Sequence, residues 1–344
     1  KMRAYFIAIA SAFLLLSCIR KPESGPAPDR PGNNNSNLVS DVYAWITSPQ
    51  NNILFQQHTS SLNFSDISNA DPAIIVDTTT TFQTIDGFGN CLTGGSAIVL
   101  NKMTKVNRTA LLKELFSTDE KNIGISYLRI SIGASDLSDR VFSYDDMPAG
   151  QTDPELINFS IAAEKTDLIP VLKEILAINP DIKIMGSPWS PPVWMKTNNS
   201  SIGGSLKTEY FDAYARYFVK YIQAMQNEGI TIDAITIQNE PLYGGNNPSM
   251  IMQPEDQALF IKQNLGPAFA SAGITTKIIV YDHNADRPDY PITIYSDPDA
   301  ARYVDGAAFH LYGGSIDALS TVHDAYPSKN LYFTEQWVGA PGNL

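Results

Sequence analysis

The sequence predicts an α/β protein carried on parallel strands, either a barrel or a doubly wound sheet. After Phe82, short β-branched or aromatic runs alternate with amphipathic stretches, which is the sequence form of repeated βα units. Two of these runs, Ile237-Gln238-Asn239-Glu240-Pro241 and Leu331-Tyr332-Phe333-Thr334-Glu335-Gln336-Trp337, carry a glutamate near their end, where a barrel enzyme exposes its chemistry. Position 335 lies 95 residues beyond 240, about three βα units at ~30 residues each, so both glutamates are expected at one barrel mouth. No Gly-x-Gly-x-x-Gly opens a helix and there is no Walker-type loop, which disfavours a nucleotide-binding doubly wound sheet.

Taken in order, the chain begins with a targeting segment. Lys1 and Arg3 flank residues 4–16, a mostly apolar stretch of thirteen that is too short to span a membrane. Leu15-Leu16-Ser17-Cys18 resembles the lipobox of bacterial lipoproteins. That resemblance implies a signal peptide over 1–18 and a lipidated Cys18 that anchors the protein in the bacterial envelope, at the outer membrane or cell surface. A periplasmic or secreted product of an ordinary cleaved signal is the alternative.

Residues 19–40 are expected to be a disordered tether, because 21–37 hold four prolines, two glycines and no large apolar side chain. Three strand-like pieces follow at 42–46, 53–55 and 73–76, an all-β element over 41–80. The barrel is expected over 81–344, with candidate strands ending near Thr93, Ser131, Ser187, Glu240, His283, His310 and Glu335. Helical spacing is readable at 170–178, 210–226 and 254–265. Only nine residues follow Glu335, whereas another strand and helix need roughly 30. The expectation is a barrel lacking its last βα unit, in a fragment of a longer lipoprotein.

Composition sets further bounds. With 344 residues, 43% hydrophobic and 17% charged, the chain can bury a large core. A formal charge of -12 argues against a nucleic-acid partner, whose phosphates demand a basic face. Cys91 is the one cysteine besides Cys18, so lipidation leaves no intramolecular disulfide. Flanked by Asn90 and Leu92 in an apolar stretch, Cys91 reads as a small buried hydrophobe.

Hydrolysing a glycosidic bond with retention requires a carboxylic acid for the leaving oxygen and a carboxylate for the anomeric carbon, about 5 Å apart. Glu240 fits the acid/base, since the adjacent Asn239 amide can hold a sugar 2-hydroxyl and Pro241 fixes the loop. Glu335 fits the nucleophile. One strand-end glutamate is ordinarily a surface charge; two at this interval argue for a glycosidase.

Several separated motifs now converge. Asn239-Glu240-Pro241, Thr334-Glu335, Asp86-Gly87-Phe88-Gly89, Tyr127-Leu128-Arg129-Ile130-Ser131 and the run from Ser187-Pro188-Trp189-Ser190 through Trp194-Met195-Lys196-Thr197-Asn198 together resemble glycoside hydrolase family 30. That family includes glucosylceramidases and microbial β-1,6-glucanases. The resemblance implies a (β/α)8 TIM barrel, seven strands of which are visible here, with a partial β-sandwich on the N-terminal side. It implies a retaining mechanism, a β-linked glycan or glycoside substrate, and no metal or organic cofactor.

Carried over by position, it makes Glu240 the acid/base and Glu335 the nucleophile, with Arg129 holding the nucleophile ionised. Asn239 would bind the 2-hydroxyl and Trp189 would offer a ring face to the sugar. Tyr312 would hydrogen-bond the nucleophile and His310 would line the pocket. His283 and Trp337 are counted as further substrate-binding residues of the mouth, whereas Trp194 is read as core. No ligand spacing supports a metal gathered by Asp282, His283 and His310.

One departure stands out. Glucosylceramidase-like members usually carry Thr-Asp where this chain reads Thr93-Gly94-Gly95-Ser96, and losing such a carboxylate forfeits on the order of 1.5–3 kcal/mol of recognition. A polymer-binding cleft gains weight accordingly. The sequence thus points to a retaining β-glycosidase acting on β-1,6-glucan or a glucosylceramide-type glycoside. A β-xylosidase or xylanase of the same family and an inactive glycan-binding lipoprotein are the alternatives.

Overall fold

A computed structural model describes residues 13–17, 41–68, 70–119 and 122–337, which fall into two units divided between Gln83 and Thr84. The first holds an antiparallel sheet of β1 (Phe13–Ser17), β2 (Tyr43–Ser48) and β3 (Ile53–Gln57), in that order. A short 3-10 turn at Pro49–Asn51 and a left-handed Asn52 (φ 55) join β2 to β3, and Trp45 stacks on Phe55 across the hairpin at 6.4 Å between ring centroids.

Phe13–Ser17, part of the apolar run read as a targeting segment, pairs with the edge of β2, where an uncharged strand can satisfy its backbone groups. One expectation changes here. Residues 73–76 have no regular structure and Ile74 and Ile75 are exposed, because without a partner edge an apolar run stays unpaired. Cys18 and the proposed tether lie outside the described residues.

The second unit is one sheet of seven parallel strands: β4 (Gly89–Cys91), β5 (Tyr127–Ser131), β6 (Lys183–Ser187), β7 (Ala234–Thr236), β8 (Lys277–Ala285), β9 (Val304–Gly314) and β10 (Asn330–Glu335). Spatial order follows chain order, as in a barrel whose crossovers are helical. After β4 come α1 (Gly94–Lys102) and α2 (Lys105–Phe116), then α3 (Leu168–Ile178) after β5 and α4 (Phe211–Asn227) after β6. The β7 crossover holds α5 (Pro254–Phe260) and α6 (Gly266–Ser271), joined by a π turn over Ile261–Leu265. Finally α7 (Asp289–Tyr295) and α8 (Pro298–Ala301) follow β8, and α9 (Asp317–Ala325) follows β9.

Strand alternation divides the core in two. Outward residues such as Leu128, Ile130, Ile184, Ile235 and Ile278 pack under the helices. There α4 presents Tyr214, Tyr217, Phe218, Tyr221 and Met225, all buried and recurring at helical spacing. Inward residues Met185, Ala234, Ile279 and Ala308 form a separate buried cluster with Tyr127 and Tyr332 against it. Side chains of β5, β6, β7, β8, β9 and β10 therefore converge, and the sheet is curled.

The sheet's strand ends shift slightly from expectation. β4 stops at Cys91, and β7 stops at Thr236, four residues before Glu240, whereas β8 and β9 run past His283 and His310. Among the described residues β4 and β10 are the edges.

Candidate active site

One layer above the apolar cluster, the inward positions from β5 to β10 are polar. Two residues beyond Tyr127, Met185, Ala234, Ala308 and Tyr332 come Arg129, Ser187, Thr236, His310 and Thr334. Strict alternation would turn Tyr281 inward on β8. Instead Tyr281 and Asp282 both take left-handed backbone (φ 71 and 66), and the register shifts between Tyr281 and His283. This bulge sends Tyr281 outward against Tyr290 and Phe309 and aims Asp282 at the axis.

Asp282 is the centre of the layer. Its Oδ2 accepts from Arg129 Nη2 at 2.8 Å, Ser187 Oγ at 2.8 Å and Thr236 Oγ1 at 2.7 Å. Its Oδ1 faces Thr334 Oγ1 at 2.6 Å and His310 Nε2 at 3.0 Å. Burial alone would raise its pKa, but the Arg129 charge and the His310 and Thr334 hydrogen bonds hold it well below the usual carboxylate range.

The catalytic candidates stand on this layer. Arg129 Nη1 donates to Glu335 Oε2 at 2.7 Å, and Tyr312 OH donates to Glu335 Oε1 at 3.0 Å. A register shift between Phe333 and Glu335 lets Thr334 and Glu335 both serve the site. Glu240 lies in the loop after β7 with φ 45, its N–H bonded to the Asp282 carbonyl at 2.9 Å. Its Oε1 meets His310 Nδ1 at 3.2 Å and its Oε2 accepts from Asn246 Nδ2 at 3.2 Å. One oxygen of Glu240, one of Glu335 and a ring nitrogen of His310 all lie within 4.8 Å of one another.

The charges are set by these contacts. Burial pushes Glu240 upward, yet the His310 hydrogen bond and the charges of His310 and His283 bring it below an ordinary glutamate. Burial lowers His310, but Asp282 and Glu240 outweigh that and raise it. His283 is lowered, chiefly by burial, and Tyr312 is raised by burial and by Glu335.

The other sequence-predicted residues are distributed as follows. Asn239 is buried and its Oδ1 accepts from Arg129 Nη2 at 2.7 Å. Trp189 is only 6% exposed and the Arg129 guanidinium covers its ring at 4.9 Å, so one of its faces is already occupied. His283 is near-buried beside the site, its ring 6.4 Å from that of His310. Trp337 is exposed, with its N–H on the Tyr312 hydroxyl at 2.8 Å. Trp194 is buried with Nε1 on the Asp145 carbonyl at 2.9 Å. Cys91 is half-buried at the tip of β4, its Sγ 3.8 Å from Arg129 Nη1, and burial raises its thiol pKa.

Sequence reasoning missed four residues. Asp282 was weighed only as a metal ligand, although a carboxylate inside an apolar strand has to be paired. Asn246 and Thr236 gave no signal of their own. Asp136, in the loop after β5, is exposed, and burial of its carboxyl together with the charges of Glu335 and Glu240 raises its pKa.

The surroundings of Gly94 bear on the departure noted there. Gly94 opens α1, whose cap is Thr93, and a Cβ there would stand 3.1 Å from Ser138 Oγ. A side chain at this position would press on Ser138 of the turn after β5.

A metal would find its oxygen and nitrogen ligands in Glu240, His310 and Glu335, a set different from Asp282, His283 and His310. Those atoms already face one another, Arg129 and Tyr312.

A parallel barrel sheet with a carboxylate pair at the C-terminal ends of its strands is the architecture of TIM-barrel glycoside hydrolases. The chain belongs to glycoside hydrolase family 30: residues 85–342 match the family model described as the glycosyl hydrolase family 30 TIM-barrel domain.

It is 42% identical over 266 residues to an endo-1,6-β-D-glucanase of Neurospora crassa, covering 75% of this chain and 54% of that protein. Against the lysosomal acid glucosylceramidase of Mus musculus the identity is 34% over 277 residues, covering 75% and 52%. A solved endo-β1,6-glucanase superposes with a TM-score of 0.76 at 41% identity, covering 84% of this chain and 63% of that one. The chain thus spans about half the length of the curated relatives it matches.

Proposed function

We propose that the protein hydrolyses β-glucosidic bonds with retention of configuration and takes β-1,6-linked glucan as its substrate. The observation that carries this reading is the approach of Glu240 and Glu335 to within 4.8 Å. That is the short separation of a double displacement, about 5–5.5 Å between carboxyl groups, and leaves no room for the water of an inverting site.

In this reading Glu335, paired with Arg129 at 2.7 Å, attacks the anomeric carbon while Glu240 protonates the departing oxygen. Glu240 then takes a proton from the water that cleaves the glycosyl ester. The Asn239 Oδ1 accepts from Arg129, which leaves the amide N–H groups for the sugar 2-hydroxyl. Asp136 is the carboxyl available to other sugar hydroxyls, and the exposed rings of Tyr243 and Trp337 offer faces for further units.

The choice of β-1,6-glucan is supported by the identity to endo-1,6-β-glucanases. A glucosylceramide-type glycoside is the second reading, favoured by the likeness to glucosylceramidases. We further propose that Cys18 carries a lipid that holds the protein in the bacterial envelope; labelling with radioactive fatty acid, lost in Cys18→Ala, tests it. For the activity, reducing-sugar release from pustulan, laminarin, xylan and glucosylceramide is the deciding assay. Release from pustulan with a β-anomer as first product is expected, and release from xylan alone would overturn the substrate reading.

A further inference from the structure

Glu240 poses a problem for its assigned work. A general acid has to carry a proton at working pH, and the surroundings of Glu240 favour its ionised form. The answer lies in its neighbour. His310 is fully buried, and both its ring nitrogens face carboxylates: Nε2 lies 3.0 Å from Asp282 Oδ1 and Nδ1 lies 3.2 Å from Glu240 Oε1.

Asp282 stays a carboxylate because Arg129, Ser187, Thr236 and Thr334 all lie within 2.8 Å of its oxygens. A carboxylate only accepts. His310 Nε2 therefore keeps its hydrogen, and Nδ1 is the one ring atom whose protonation can change.

Resting on the glycosidase reading above, we propose that the catalytic proton is held jointly by Glu240 Oε1 and His310 Nδ1, with Asp282 as the positioning residue that fixes the imidazole tautomer. One proton occupies this pair, as imidazolium beside carboxylate or as carboxylic acid beside neutral imidazole. In the first displacement the proton passes from the pair to the departing oxygen, leaving Glu240 ionised and His310 neutral with its Nε2–H. In the second, the proton of the attacking water restores the pair.

Every charged group around His310 is part of the arrangement. Glu335 Oε1 is 4.0 Å from Nδ1, Arg129 opposes the imidazolium from β5, and Asp282 and Glu240 favour it. The rings of His283 and Tyr312 lie 6.4 and 6.1 Å away. With His310 raised above 6.5 and Glu240 lowered below 4.5, the pair keeps its single proton across the interval between. The acid function then persists where a lone glutamate would have lost it.

The test is 15N NMR of the imidazole nitrogens in the full chain, with His310 assigned by its absence in His310→Asn. The expected result is an Nε2 that stays protonated from about pH 5 to about pH 8, and an Nδ1 that titrates above the 6.5 of free imidazole. Glu240→Gln should lower that midpoint by about one unit or more, because an amide attracts the proton less. An Nε2 without its hydrogen in the wild-type spectrum overturns the proposal whether or not any variant folds, as does an unmoved midpoint in a folded Glu240→Gln. Sugar release is read separately: an inactive wild type removes the glycosidase reading, while the spectrum still decides the shared proton.

Discussion

Arg129 and Asp282 form a 2.8 Å ion pair in which the side chains are 5% and 0% exposed. Neither has water to fall back on, so each depends on the other and on the hydroxyls around them. The same guanidinium holds Glu335, and the same carboxylate holds His310. Through this pair the counter-ion of Glu335 and the histidine partner of Glu240 are fixed by one buried carboxylate.

Removing one member of such a pair leaves the other charged and uncompensated. Arg129→Met is expected to cost about 3–5 kcal/mol of stability, read as a fall in the denaturation midpoint. Arg129→Lys should fold better but lose most activity, since one ammonium cannot serve Glu335, Asp282 and Asn239 at once. A thermal melt of Arg129→Met that matches the parent would contradict the central role given to this pair.

The catalytic assignment predicts two distinguishable phenotypes. In Glu335→Ala turnover is abolished, and azide entering the vacated space yields a product of inverted configuration. Glu240→Ala keeps activity on aryl glucosides with good leaving groups and gives a β-azide. Product configuration by NMR checks both, and identical configurations from the two variants would exclude the assignment.

Asp136 and Gly94 bear on one question, whether a carboxylate outside the pair recognises the sugar. Asp136→Asn should lower kcat/KM about tenfold, the low end of a charge-assisted hydrogen bond of about 1.5–3 kcal/mol. Gly94→Asp should lower activity too, because its Cβ presses on Ser138 Oγ, and that oxygen accepts the Ser135 N–H in the turn that carries Asp136. Comparing aryl glucoside with pustulan settles the matter: a gain for the aryl glucoside in Gly94→Asp would show that the turn yields and the new carboxylate reaches the sugar.

What could be read from the chain follows from periodicity. Glu240, Glu335 and Arg129 sit on runs whose β-branched and aromatic residues announce strands, so their place at the barrel mouth was legible. Asp282 was not, because period-2 alternation from Ile279 turns Tyr281 inward and only the bulge exchanges the two. Helices α1 and α2 were passed over because each buries so little, Ala97 in one and Leu112 with Phe116 in the other. The 73–76 run was apolar enough for a strand, but pairing needs an edge that composition cannot reveal.

The last prediction concerns a carboxyl outside the site. Asp145 is 1% exposed, and among the described residues no donor reaches either of its carboxyl oxygens. Burial and the neighbouring charges of Asp153 and Asp146 push its pKa up to about 7, against about 3.9 in an unfolded chain. Between those values the folded protein binds the extra proton, so stability is fully present at the acid end and declines as pH rises toward about 7. Asparagine imitates the protonated acid and adds an N–H donor that can face Asp153. Asp145→Asn should therefore melt higher than the parent at about pH 8 and equal to it near pH 4. Glu164, likewise raised to about 7 by burial, is common to both proteins and cancels in the difference. Thermal melts across this range check the sign, and a variant that melts lower at alkaline pH would mean that the Asp145 carboxylate has a stabilising partner in the folded protein.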